Sequence, residues 1–465
     1  MSTFLYELEP LEDIMDTLVF EDEPNIFDEN CAIEIVETVL HLMDELMINN
    51  PTLITEPKFN DILLEEVKEL FYIQMEEQIL NSDFIDDDMN DLIEYAFKVY
   101  ITTFHTERSI KIEEDYEESE IIMNDKNIEE KNMIEKKIQS LREIPQPVQR
   151  TPEWYKFRWN LITASNAWKA FESQNTINQL IYEKCQPLKD FTIESIDEEV
   201  KMVNTNTTLH WGQKYEPLSV MMYEHMYNSK VEDFGCIQHS TYKFIGASPD
   251  GIIVESNTGR YGRMLEIKNI VNRDINGIPK KEYWVQMQLQ MEVCDLDECD
   301  FLETKFIEYP DYQSYKNDSS IASLNGEEFN SFVTTKDGSY KGIIIHFHTS
   351  EGTPHYEYMP LHLWTPYDIS SWEESTLEKY QIEPYNYTFL KFIYWKLEKL
   401  SCVLVLRNRE WFKNNVGQLE KVWKIIEEER ILGYEHRAPN RKPKKEQPNK
   451  PYVGEEKCLL KVVKL

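Results

Sequence analysis

Two apolar runs face each other across a glycine-containing turn in FIGASPDGIIVESNTGRYGRMLEIKN, residues 244–269. The pattern is that of a β-hairpin, and the way it is interrupted constrains what the chain can build around it. Asp250 stands at the head of the first run, between Pro249 and Gly251, and Glu266 and Lys268 break the end of the second. Glu266 and Lys268 are two apart, so on a strand they project to one face while Ile267 points to the opposite, apolar side. The hydrophobic neighbours in LEIK make this an interior strand, where unpaired charges are costly unless they serve a site. A surface hairpin with a cross-strand Glu–Lys pair is the plain alternative for so short a motif, and the spacing alone leaves it open.

Carboxylates brought together by a hairpin form a cage of hard oxygens, which suits Mg²⁺ or Mn²⁺. A lysine beside such a cage is no ligand, but it can tend a nucleophile or stabilise charge on a phosphate. Hydrolysis of a phosphodiester asks for that combination.

The rest of the chain is organised in blocks. Its 465 residues are enough for two or three domains. The net charge of −36 argues at first against a nucleic-acid partner, but it is unevenly spread: residues 1–100 hold 27 acids against 3 bases. Residues 1–105 read as an acidic helical domain, since apolar positions recur at three and four in CAIEIVETVLHLMDELMI. Residues 106–148 are a charged linker or helix, closed by the prolines of IPQPVQRTP. Residues 149–310 turn to a mixed α/β pattern. Thr163 and Ser165 are N-cap candidates there, Pro217 opens a helix, and strands are expected near 232–238, 243–247, 251–255 and 263–268, with another in DFLETKFIEY. Residues 311–433 form a C-terminal extension with one further strand, KGIIIHFH, and long helices over 388–432. Residues 434–465 are a basic Pro/Lys-rich tail.

The same reading excludes several classes. No apolar run is long enough for a membrane span, and the acidic N-terminus lacks the basic start of a secretory signal. Seven scattered cysteines, an odd number with no C-x-x-C, suggest free thiols in a reducing intracellular compartment rather than secretion. There is no Walker A loop. His346 and His348 share a strand face, but as a metal pair they are weak.

GASPDG followed by LEIK resembles the PD-(D/E)xK nuclease core. More narrowly, four blocks in order are similar to the YqaJ-type viral recombinase family, which includes phage lambda exonuclease: WYKFRWNLITAS (154–165), LHWGQKYEPLSVMMYE (209–224), the hairpin, and YWVQMQLQMEV (283–293). The resemblance implies an α/β, restriction-endonuclease-like core, with a mixed central sheet flanked by helices and with helical extensions at both ends. It implies Asp250 and Glu266 as metal ligands, with the carbonyl of Ile267; Glu216 as a further acid bordering the metal; Lys268 as the catalytic lysine; and Gln288 as the glutamine supporting the nucleophile. Arg158, Ser165 and Ser248 would hold a terminal 5′ phosphate. The block VQMQLQMEV alternates as a strand does, but it has good helix formers and few β-branched residues, so a helix is expected. On that helix Gln286 and Gln290 share a face that Gln288 does not.

The implied activity is that of a Mg²⁺-dependent (or Mn²⁺-dependent) DNA exonuclease, 5′→3′ on linear duplex, making single-stranded ends for recombination or repair. An endonuclease on the same core and a non-enzymatic protein acting through its acidic head are the rival readings. Implied partners are double-stranded DNA ends, a single-strand annealing or replication protein, and further copies of the chain in a homo-oligomer. The composition resembles that of proteins of large DNA viruses, which implies host cytoplasm or a viral replication site.

Overall fold

The computed structural model describes residues 29–50, 53–55, 59–79, 86–103, 110–111, 125–149, 151–188, 204–205, 207–257 and 259–438. The start of the acidic head, residues 112–124 of the charged stretch, Cys458 and the tail from 439 onward lie outside the described residues.

The acidic head supplies three amphipathic helices, α1 (Glu29–Asn49), α2 (Phe59–Ile79) and α3 (Asp86–Thr103). Their apolar stripes, with Val39, Met43, Leu63, Val67 and Ile93, are buried. The short strand β1 (Ile110–Lys111) and helix α4 (Asp125–Glu143) follow. Next come α5 (Pro152–Trp159), β2 (Ile162–Thr163), α6 (Ala164–Ala167), α7 (Gln174–Cys185) and α8 (Thr208–Tyr227). The hairpin region contains β3 (Ser229–Glu232), β4 (Ile237–Gln238), β5 (Ile245–Ala247), β6 (Gly251–Ser256) and β7 (Met264–Asn269). After it run α9 (Lys281–Cys294), β8 (Glu298–Glu308), α10 (Tyr312–Asn317), β9 (Ile321–Leu324), β10 (Glu327–Asn330), β11 (Lys341–His348) and β12 (Pro354–Tyr358). The chain closes with α11 (Pro366–Gln381), β13 (Thr388–Leu406) and α12 (Arg409–Leu432).

The main sheet is mixed, in the order β12-β11-β13-β8-β7-β6-β3, with β1 paired to β13. β7 and β8 are parallel, joined through α9, and the other pairs are antiparallel. Helix α8 covers one face, packing Tyr223 on Leu265 and Ile267. Helix α9 lies on the other, with Tyr283 against Phe301, and α12 packs behind it on α9 and α7, Trp411 against Trp284. A small sheet, β2-β5-β4, stands beside the main one.

The hairpin turn is pinned from below. Arg260 and Arg263 both reach the fully buried Asp300 on β8, at 2.5 and 3.2 Å, and Tyr223 donates to the same carboxylate. Gly262 in the turn has φ +83°, and a Cβ there would lie 2.3 Å from the side chain of Ile134 on α4, so only glycine lets that helix close over the turn.

Two sequence expectations are corrected. Residues 388–432 are not all helix: Thr388–Leu406 is a 19-residue strand inside the sheet, between β11 and β8. Its alternating Ile393, Trp395 and Leu397, then Val403 and Val405, turn to the sheet faces, and a bulge between Leu397 and Lys399 resets the alternation. Pro217 does not open its helix either. The helix starts at Thr208, where the Thr207 hydroxyl accepts the His210 N–H, and Pro217 lies in its interior. The glutamine block is a helix, as its residue types indicated.

Candidate active site

The hairpin frays where its chemistry begins. β6 and β7 pair only at Gly251–Leu265 and Ile252–Met264. The Asp250 N–H still reaches the Leu265 carbonyl at 3.1 Å, but the next β7 donor, the Ile267 N–H, meets the Asp250 carboxylate at 2.7 Å instead of a backbone carbonyl. A residue's N–H and C=O point to the same strand edge, so the Ile267 carbonyl opens on the edge where Asp250 stands. On the other side of β6, a Cβ on Gly251 would lie 2.2 Å from Val231 Cγ1, so glycine there lets β3 close on β6.

Glu266 and Lys268 project to the α9 side of β7. Glu266 is fully buried. One of its oxygens pairs with the Lys268 ammonium, and the other accepts from Gln290 Nε2 at 2.7 Å. Lys268 lies over the Tyr283 ring, 4.8 Å from its centre. Burial pushes the Asp250 acid well above its ordinary range. The Glu266 charge adds to this, Lys268 opposes it, and Glu216 on α8 adds a further upward push. Burial works against the Lys268 ammonium, yet Glu266 and Asp250 outweigh it and hold that group above its usual value.

The three hairpin side chains therefore share one electrostatic centre, with the exposed Glu216 within reach of it. Gln288 is not part of it. Its Nε2 donates to the Leu406 carbonyl at 2.9 Å, and its Oε1 accepts the Asn408 N–H at 2.6 Å, joining α9 to the start of α12. Gln290, two residues on, faces the carboxylates and also touches the Ser248 carbonyl at 3.3 Å. Its buried Oε1 has no partner among the described residues. The helical spacing separated Gln286 and Gln290 from Gln288; it could not say which face meets the sheet.

Two of the three residues expected at a terminal phosphate follow strands of the small sheet. β2 and β5 are parallel, pairing Ile162 with Ile245 and Thr163 with Gly246. Ser165 and Ser248 each follow two residues after that last pair, so they leave the carboxyl ends of adjacent parallel strands, with Asp250 two residues further on. Ser165 is not a cap: it lies inside the short α6, and Thr163 occupies the N-cap position without a capping side-chain bond. The two hydroxyls are 3.3 Å apart. Arg158 on α5 packs its guanidinium 4.5 Å from the Trp154 ring centre and beside Cys236, and it has no carboxylate partner among the described residues. Burial holds its pKa below the ordinary value.

The residues fit a hard divalent cation. The donor set is all oxygen, from Asp250, Glu266 and the Ile267 carbonyl, and the mutual repulsion of two buried acids is what such an ion relieves. Among the described residues, no three His, Cys, Asp or Glu side chains meet as a ready-made ligand group. Mg²⁺ needs none, since it is commonly held by one or two carboxylates completed by phosphate and water.

The model of the YqaJ-like viral recombinase domain matches residues 153–297. An uncharacterised protein of Acanthamoeba polyphaga mimivirus is 29% identical over 307 residues, covering 62% of this chain and 54% of that protein. The chain thus spans about half the length of this curated relative. Two crystal structures of LHK-Exo, an alkaline exonuclease from Laribacter hongkongensis, one in complex with dAMP, are 17% and 16% identical, with TM-scores of 0.31 and 0.30. Each match covers 62% of this chain and 95% of theirs. No helix among the described residues is long and apolar enough to cross a membrane. The segment 153–297, which carries the hairpin acids, Lys268, Gln290 and the candidate phosphate contacts, is the part of the chain that matches the YqaJ-like viral recombinase domain.

Proposed function

We propose that this chain is a Mg²⁺-dependent deoxyribonuclease that degrades linear duplex DNA from its 5′ ends and leaves single-stranded 3′ ends for recombination or repair. The observation that carries the reading is the convergence of Asp250, Glu266 and Lys268 at the frayed end of the hairpin.

Asp250, Glu266 and the Ile267 carbonyl would hold the ion, with Glu216 at its border. When bound, Mg²⁺ would supply Lewis-acid polarisation of the scissile phosphate and offset the charge of the two acids. The chain's own groups do the rest. Lys268, an ammonium anchored on Glu266, donates toward the phosphate or the attacking water and stabilises negative charge that develops there. Gln290 fixes the Glu266 carboxylate with its Nε2 and offers its unpartnered Oε1 as an acceptor for a water proton. Arg158, Ser165 and Ser248 grip the terminal 5′ phosphate. A captured end sets the register of cutting, which makes the reaction exonucleolytic. The mimivirus relative supports a large-DNA-virus setting inside the host cell; there a single-strand annealing protein would consume the 3′ tails.

The test compares linear duplex with closed circular duplex in Mg²⁺, with Asp250→Asn as control. Linear DNA is degraded, the circle survives, and the variant is inert. Nicking of the circle at the rate of linear degradation would overturn the exonuclease reading.

A further inference from the structure

A second pocket opens along the same helix and strand that carry the candidate catalytic groups. It has a volume of about 270 Å³ and lies between the N-terminal turns of α8 and the far half of the sheet, contributed by β8, β11, β12 and β13. On α8, Trp211 and Lys214 precede Glu216 by five and two residues; on the strand side, Val271 follows Lys268 by three. The β11–β13 part lies beyond the segment that matches the family.

Its lining is that of a binding site. His346 is 5% exposed, lines the pocket, and has neither ring nitrogen partnered among the described residues. A buried polar group normally finds a partner, and one that lacks it inside a pocket points to a ligand. The indole nitrogen of Trp211 is likewise buried and unpartnered among the described residues. His346 stacks on Tyr356, ring centres 4.6 Å apart, and the two are direct cross-strand partners, with Lys391 across the other edge. Lys214 pairs with Glu308 and lies 4.6 Å from the Trp211 ring centre. Lys391 is exposed at the rim.

These groups select one chemistry. Two lysines against a single glutamate, at the N-terminal end of a 20-residue helix, favour an anion and repel a cation. Aromatic walls suit a flat π-face. His346 stays neutral at ordinary pH: burial, then His348, Lys391, Lys214 and His210, hold it at about 4. A neutral imidazole offers one donor and one acceptor to a base edge. We propose that this pocket binds a single deoxynucleotide, with its base against Trp211, His346 and Tyr356 and its phosphate at Lys391 and the first turn of α8. The source is either a nucleotide of the DNA strand or the released 5′-mononucleotide. The proposal rests on the nuclease reading only for the identity of that source.

The experiment is titration of the full chain with dAMP in EDTA, so that no hydrolysis intervenes, followed calorimetrically and by Trp fluorescence. Saturable binding is expected, weakened roughly tenfold by Lys391→Ala, a surface change that leaves the melting temperature intact. His346→Phe weakens it as well, and His346→Gln restores part. Absence of saturable binding, or binding indifferent to both Lys391→Ala and His346→Phe, overturns the proposal. In Mg²⁺ with linear duplex, dAMP that raises KM identifies the pocket with the DNA strand; dAMP that lowers kcat alone identifies it with the product. A chain that binds dAMP yet cuts no DNA refutes the nuclease reading and keeps the pocket. A chain that cuts DNA but whose dAMP binding fails the Lys391 test refutes the pocket alone.

Discussion

The Asp250 carboxylate accepts the Ile267 N–H at 2.7 Å, in the place a backbone carbonyl of β6 would occupy if the hairpin continued. One side chain thus ends the strand pairing and holds an acid beside Glu266. In Asp250→Asn the amide oxygen still accepts that N–H, while the charge repelled by Glu266 and Glu216 is gone. The variant should lose Mg²⁺-dependent DNA hydrolysis by about 10³-fold or more, with a melting temperature equal to or above that of the parent. Activity assays and thermal melts check both halves; a large drop in melting temperature would make Asp250 a structural residue.

Lys268 is the ammonium that makes the buried Glu266 tolerable. Lys268→Met should reduce hydrolysis by about 10²–10⁴-fold and also lower the melting temperature, because Glu266 is left buried beside Asp250 without its cation. Adding Glu266→Gln should recover the melting temperature and leave the activity lost. Melts of the single and double variants measure this coupling directly.

The two buried glutamines of α9 should separate by phenotype. Gln290→Ala removes the donor to the buried Glu266, so it lowers kcat roughly 10–100-fold and also lowers the melting temperature. Gln288→Ala breaks the link to Leu406 and Asn408, so it lowers the melting temperature while kcat in the folded enzyme stays near the parent value.

That pair also marks how far the sequence could be read. Alternation and turn residues identified the β6–β7 hairpin, and the E-x-K spacing put Glu266 and Lys268 on one face, because both are local consequences of strand geometry. The helix 281–294 followed from unbranched residue types. Which helical face meets the carboxylates is decided by packing against the sheet, so Gln290 rather than Gln288 emerged only in three dimensions. β13 escaped for a related reason. Its Phe, Ile, Tyr and Trp serve either period, and its place is set by pairing with β8 across about a hundred residues of chain. At α8, the proline at 217 drew the expected helix start nine residues too far along, since a helix interior can absorb one missing donor where its neighbours pack well.

His346 gives a pH signature. An unfolded chain protonates this ring near its ordinary 6.5, but the fold does so only near 4. Stability tied to the neutral ring is complete above pH 6.5 and is lost as the pH falls toward 4. His346→Gln removes a titrating group whose pocket also faces Lys214, Lys391, His210, His348 and Glu308. The melting-temperature difference between parent and variant should therefore shrink by roughly 2 °C between pH 7 and pH 4.5. A pH-independent difference would contradict the buried neutral ring.

The most direct test of the account is digestion of linear duplex DNA in Mg²⁺, labelled at either the 5′ or the 3′ end, and carrying a 5′ phosphate or a 5′ hydroxyl. The account predicts early release of 5′-labelled mononucleotide, faster from the phosphorylated end, with that preference abolished by Arg158→Gln. Release from the 3′ label first, or no hydrolysis by the intact chain in either Mg²⁺ or Mn²⁺, would contradict it.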